Sequence, residues 1–223
     1  MKFFEHQDPE LKFKLFAYPI ISSLKIKYED ILCVNDLLIF LKLSDELRQK
    51  QFLQSRFWLK KHLSDYLNKE MPSIEIAIGL NGKPQLIHNY KQIDFNISHC
   101  EDLIFIGISD QGNIGVDIEK TRTPNHLEQI AKRIFSINEQ KSLMETKTLK
   151  EKEILFTKLW SGKESIVKAA SGGVFLNSHE ISINCSNWSI ENLPQSFGNL
   201  NLWKLNFYED IKFYTLSMAF RKN

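Results

Sequence analysis

Leu103-Ile-Phe-Ile-Gly-Ile-Ser-Asp-Gln-Gly-Asn-Ile-Gly-Val-Asp-Ile-Glu119 is the stretch that decides the fold class. Residues 103–108 are largely β-branched or aromatic, Asp110 to Asn113 carry turn chemistry, and 114–119 read as a second strand. Together they predict a β-hairpin, which is antiparallel, whereas a parallel sheet needs a crossover between successive strands. Outward from it, strand-like runs occur at 74–78, 95–97, 181–183, 202–207 and 213–220. Helical spacing runs from Ser44-Asp45-Glu46 to about Leu67, from about His126, from Ser136 and from Lys150 to Ala170. Ser136 and Glu139 make a capping box, and Gly172-Gly173 would stop the last helix. With no βαβ regularity, the expected class is α+β.

Composition narrows the function. The chain has 223 residues with 29 Lys plus Arg against 27 Asp plus Glu, a net charge of +2. That balance gives no nucleic-acid coat and no polybasic membrane binder. Cys33, Cys100 and Cys185 are scattered, with no C-x-x-C pair, which fits a reducing compartment rather than a disulfide or zinc framework. Glu5 and Asp8 precede any apolar signal segment, and Asn35 and Asp36 interrupt the run at 31–41. A cytoplasmic protein without membrane attachment is expected.

Four short clusters carry possible chemistry. In Gly115-Val-Asp-Ile-Glu119, Asp117 and Glu119 share one face of a strand while Val116 and Ile118 face the core. Two carboxylates so placed suit a hard cation such as Mg²⁺, or are simply a solvated acidic edge. In Trp160-Ser-Gly-Lys-Glu-Ser-Ile-Val-Lys168, a helical stripe gathers Trp160, Lys163, Glu164 and Lys168. An exposed Glu164–Lys168 pair is the plainer reading, and Gly162 marks either a bend or a close approach. Phe95-Asn-Ile-Ser-His99 offers a hydroxyl and an imidazole, but neighbours on a strand point to opposite faces, which spoils a Ser–His dyad. The fourth is Phe135-Ser-Ile-Asn-Glu139. Neither a P-loop nor a G-x-G-x-x-G turn is present.

In order and spacing these four clusters resemble the 4′-phosphopantetheinyl transferases, specifically the larger monomeric, broad-specificity bacterial type. The turn at 82–84 and the basic helix through Arg56 also sit where that family has them. The resemblance implies two similar halves, each a small antiparallel sheet with a long helix, dividing as 1–112 (coenzyme A binding) and 113–223 (metal ligands and catalytic helix). The active site lies between them. It implies transfer of phosphopantetheine from coenzyme A to a serine of an apo acyl, peptidyl or aryl carrier protein, releasing adenosine 3′,5′-bisphosphate. Asp117, Glu119 and Glu164 would hold Mg²⁺, with Glu164 and Lys168 catalytic. Arg48, Arg56, Ser98, His99, Lys163 and Lys168 would meet phosphates, and Lys83 and Pro84 would lie beside the adenine. The pair Glu101-Asp102 departs from the family pattern and would weaken the phosphate pocket unless it points outward. A magnesium-dependent nucleotide pyrophosphatase and a non-catalytic carrier-binding module are the competing readings.

Overall fold

The computed structural model describes residues 2–79, 82–88, 92–122, 125–170, 178–209 and 211–223. Leu80 and Asn81 of the expected turn at 79–84, and the expected helix stop at Gly172-Gly173, lie outside the described residues. In chain order the elements are β1 (Phe4–Asp8), β2 (Phe13–Pro19), α1 (Val34–Phe40), α2 (Glu46–Leu67), β3 (Ile76–Ile78), β4 (Pro84–Leu86), β5 (Asp94–Cys100), β6 (Leu103–Ser109) and β7 (Gly112–Lys120). There follow α3 (Leu127–Ile134), α4 (Ile137–Glu145), α5 (Leu149–Ala169), β8 (Ser182–Ile183), β9 (Ile190–Asn192), β10 (Trp203–Tyr208) and β11 (Tyr214–Lys222).

Helix ends follow local chemistry. Asp45 caps α2 by accepting the Arg48 N–H, and Asn68 closes it in the left-handed conformation. Ser136 with Glu139, and Thr148 with Glu151, form complete capping boxes at α4 and α5.

One antiparallel sheet has the order β1-β2-β6-β5 and a second the order β10-β11-β7. Alternation along β2 and β6 divides the apolar residues of the first sheet. Phe16, Ile104 and Ile106 pack under Leu59 and Leu63 of α2, while Phe13, Leu15 and Phe105 pack against Val116, Ile118 and Met218 of the second sheet. On the far side, Leu159, Ile166 and Ala169 of α5 cover the second sheet at Ala219. The order is helix, sheet, sheet, helix: an α+β fold of two halves, each a small antiparallel sheet with one long helix.

The hairpin expected over 103–119 does not form. β6 has both edges occupied, by β2 and β5, and β7 pairs with β11. The turn therefore hands the chain from one sheet to the other. Across this seam β5 meets β7 through side chains. Asp94 Oδ2, Asn96 Oδ1 and Ser98 Oγ accept the N–H groups of Ile114, Val116 and Ile118 at 2.7, 3.0 and 3.4 Å. A period-two set of polar side chains thus does the work of a missing ladder strand.

Candidate active site

The seam delivers Asp117 and Glu119 to α5. Gly115 makes this possible: a Cβ there would stand 2.0 Å from the Ser165 carbonyl oxygen and 2.3 Å from the Ala169 nitrogen, so β7 and α5 touch backbone to backbone. Two residues on, Asp117 is 4% exposed. Its Oδ1 accepts from Lys168 Nζ at 2.6 Å and from Ser98 Oγ at 3.0 Å. Its Oδ2 is buried and has no partner among the described residues. Lys168 also donates to Ser98 Oγ and to the Val116 carbonyl at 3.2 and 3.3 Å. The expected Glu164–Lys168 pair is absent because the ammonium turns to Asp117 instead.

Glu119 and Glu164 flank this centre, both half-buried. Trp160 Nε1 donates to Glu119 Oε1 at 3.2 Å, and Glu164 makes no hydrogen bond or ion pair with the described residues. Burial, and then the negative charge of Asp117, push the Glu119 carboxyl above its ordinary range. Burial raises Glu164 as well, Asp117 adding to it against the opposing pull of Lys168. Both carboxyls therefore feel the Asp117 charge, one along β7 and one across it from α5. Among the described residues no three such side chains are gathered tightly enough to form a metal cluster as they stand. Lys168 holds the position on Asp117 that a cation would compete for. The donor set nevertheless suits a hard divalent ion: all-oxygen ligands, one buried carboxylate oxygen without a partner, and two carboxyls whose ionisation a cation would favour.

Across β5 from the cluster lies a cavity of about 450 Å³, lined by Arg48, Gln51, Ser55, Arg56, Pro84 and His99 among others. The hydroxyl of Ser55 is buried and has no partner among the described residues. His99 stands on the face of β5 opposite Ser98, and its desolvated setting, with Lys168 nearby, lowers its pKa. A second cavity of about 210 Å³ opens on the other side of Glu119, between Ile130, Phe156 and Trp160, with Lys120 and Arg122 at its rim.

The sequence model of the 4′-phosphopantetheinyl transferase superfamily matches residues 113–215. A 4′-phosphopantetheinyl transferase, AcpT, of Escherichia coli K12 is 30% identical over 151 residues, which are 66% of this chain and 73% of that protein. The chain belongs to this superfamily. A putative 4′-phosphopantetheinyl transferase of Synechocystis is 29% identical over 71% of this chain, and the AcpT of Salmonella typhimurium is 31% identical over 57%. The matches cover 64% and 62% of those two proteins, so the chain spans less than two thirds of their length. The solved holo-[acyl-carrier-protein] synthase of Thermotoga maritima overlays 51% of this chain and 64% of its own, at 17% identity and a TM-score of 0.41, a likeness too slight to argue from.

Within this 4′-phosphopantetheinyl transferase superfamily chain, the expected phosphate set separates. Arg48, Arg56, Pro84 and His99 share the larger cavity. Ser98 does not join them, because its hydroxyl donates to Asp117 and accepts from Lys168 and the Ile118 N–H. Lys163 is 2% exposed and is no phosphate ligand. Its ammonium pairs with Glu139 at 2.7 Å and donates to the carbonyls of Ile134, Ser178 and Ile181. Five residues turn a helix by about 140°, so Lys163 and Lys168 leave α5 on different sides. Lys83 turns inward too, to Asp94 Oδ2 at 2.6 Å and the Ile114 carbonyl at 2.9 Å, leaving Pro84 on the cavity wall. The departure at 101–102 points away from the cavity, Glu101 pairing with Lys120 and Asp102 accepting from Tyr214 Oη. Sequence reading gave no role to Ser55 or Asp36, which belong to no motif, nor to Asn96, which lies inside the 95–99 cluster.

Proposed function

We propose that this protein transfers the 4′-phosphopantetheine group of coenzyme A to a serine hydroxyl of an apo acyl, peptidyl or aryl carrier protein, releasing adenosine 3′,5′-bisphosphate. The observation that carries the reading is the meeting of Asp117, Glu119, Glu164 and Lys168 from separate parts of the chain at one seam, with a cavity walled by Arg48, Arg56 and His99 across β5 and His99 within reach of the Lys168 charge. Lys168 contributes a fixed positive charge where the diphosphate is cleaved. Glu164, half-buried at the seam and without a hydrogen bond or ion pair to the described residues, is placed to take the serine proton as the serine oxygen bonds to phosphorus. The bond from that phosphorus to the bisphosphate then breaks, and the leaving oxygen carries away the electron pair. Asp117, Glu119 and Glu164 would hold Mg²⁺, which when bound supplies charge neutralisation at the diphosphate. Arg48, Arg56 and His99 bind the nucleotide phosphates, and Pro84 packs beside the adenine. On this reading residues 1–112 serve coenzyme A and 113–223 the reaction, in a cytoplasmic monomer. The basic rim of Lys120 and Arg122 beside the smaller cavity receives an acidic carrier domain.

Incubation with coenzyme A, Mg²⁺ and an apo carrier domain, followed by intact-mass measurement, tests this. A gain of one phosphopantetheine on the carrier supports the reading. Hydrolysis of coenzyme A to 4′-phosphopantetheine and adenosine 3′,5′-bisphosphate with an unmodified carrier would make the protein a pyrophosphatase, and carrier binding without turnover a recognition module. Asp117→Ala should lose transfer by at least about 100-fold, the order expected for removing electrostatic transition-state stabilisation. It should leave the melting temperature within a few degrees, because losing the Lys168 and Ser98 contacts is offset by removing a buried unpartnered oxygen and the charge that opposes Glu119 and Glu164. Near-normal turnover at saturating Mg²⁺ would remove Asp117 from the site.

A further inference from the structure

Asp36 lies on α1, in the short run between the first sheet and α2, and it is fully buried. A buried carboxylate persists only when paired. Here Oδ1 accepts from Arg56 Nε at 2.8 Å and Oδ2 from Lys60 Nζ at 2.7 Å, with Cys33 Sγ donating to Oδ2 at 3.3 Å. Burial pushes the Asp36 carboxyl up, but Arg56 and Lys60 outweigh it and hold the group below the usual carboxylate range. The two cations are used differently. Lys60 is fully buried and also donates to the Ile31 carbonyl, so its charge is spent inside the protein. Arg56 lines the larger cavity with Arg48 and His99, and the Phe52 ring lies 4.8 Å from its guanidinium carbon.

A guanidinium carries five N–H donors in a rigid fork. Asp36 takes the one on Nε, and no hydrogen bond from Arg56 Nη1 or Nη2 reaches a described residue. Two cations against one anion also leave the wall with an uncompensated positive charge. We infer that Asp36 is a positioning residue for this cavity: by fixing Arg56 through Nε it leaves both terminal nitrogens free to hold one phosphate group, the 3′-phosphate of the nucleotide, as a fork. The inference rests on reading the cavity as the coenzyme A phosphate site.

Calorimetric titration of the full chain without metal tests it, using adenosine 3′,5′-bisphosphate and adenosine 5′-monophosphate as probes. Asp36→Glu keeps the charge but moves the carboxylate by one methylene. It should weaken bisphosphate binding by about tenfold while leaving monophosphate binding within twofold, since a charged fork binds only in register. Asp36→Asn should act in the same direction and lower the melting temperature as well. In an Arg56→Met background, Asp36→Glu should cause no further loss, because there is no fork left to aim. Bisphosphate affinity unchanged by Asp36→Glu, equal losses for both nucleotides, or an added loss in the Arg56→Met background would each overturn the inference. Failure of the unmodified protein to bind the bisphosphate would overturn the cavity reading and this inference with it. Binding by the unmodified protein with no effect of Asp36→Glu overturns this inference alone.

Discussion

At the residue scale the carboxylates of the seam pull against one another, and that tension is measurable. Glu164 has an ordinary value of 4.5, raised here chiefly by burial and also by Asp117. As pH climbs through 4.5, an unfolded chain gives up this proton while the folded chain keeps it. The native state then binds more protons, so stability falls with pH across that window and stays lower above it. At neutral pH, ionised Glu164 therefore costs the metal-free protein stability. Glu164→Gln removes that cost, and should raise the melting temperature at pH 7 by roughly 2–4 °C for each kcal/mol recovered. The gain should vanish near pH 4, where both forms are neutral. Added Mg²⁺ should stabilise the unmodified protein and not the variant, closing the gap from the other side. Thermal melts at both pH values with and without Mg²⁺ check this, and a variant less stable than its parent at pH 7 would contradict the electrostatic account.

At the element scale, the contact of β7 with α5 sets the distance between Asp117 and Glu164. The motif residues were legible in the sequence as a strand and a helix because period two and period 3.6 show in their apolar spacing. So were the capping box at Ser136 and the N-terminus of α2 at Asp45, which are local chemistry. What period alone did not show is which polar face is buried. Asp94, Asn96 and Ser98 alternate with Phe95 and Ile97 as a solvated edge would, yet Asn96 and Ser98 are buried against β7. Lys163 likewise reads as a stripe partner of Lys168 and turns out to anchor α5 to Glu139, a contact between residues 24 positions apart that no local pattern announces. The glycines reverse in the same way. Gly162 reads in the sequence as the glycine inside a helix, and a Cβ there would press on the Phe207 and Ile183 side chains. Gly115 is the stricter requirement, because its neighbours are backbone atoms that cannot rotate aside. Gly115→Ala should force strand and helix apart, at a cost of about 1–3 kcal/mol or more for overpacking. Transfer by the folded protein should drop with it, and Gly162→Ala should be milder on both counts. Equal turnover and stability for Gly115→Ala and the parent would mean that the interface is looser than its distances imply.

At the scale of the molecule, the site exists only because two sheets are joined edge to edge by side chains. Lys83 bridges Asp94 and the Ile114 carbonyl at one end of the seam, and Glu101 and Asp102 reach Lys120 and Tyr214 at the other. Between them Asn96 is 4% exposed, and its Oδ1 accepts the N–H of Val116, the residue before Asp117. Removing that acceptor strands a buried donor, which costs about 1–3 kcal/mol. A general loosening of the fold would lower the melting temperature and leave turnover intact at temperatures where the chain remains folded. A seam that positions the site has a further consequence. Asn96 touches neither coenzyme A nor carrier in the proposed reaction, yet its loss frees the strand that carries Asp117 from the strand that carries Ser98. Asn96→Ala should therefore reduce kcat at a temperature well below its transition, while affinity for adenosine 3′,5′-bisphosphate stays close to that of the parent, because Arg48, Arg56 and His99 lie on the other face of β5. Steady-state kinetics beside nucleotide titration separate the outcomes. Unchanged kcat in a folded Asn96→Ala protein would reduce the seam to a matter of stability.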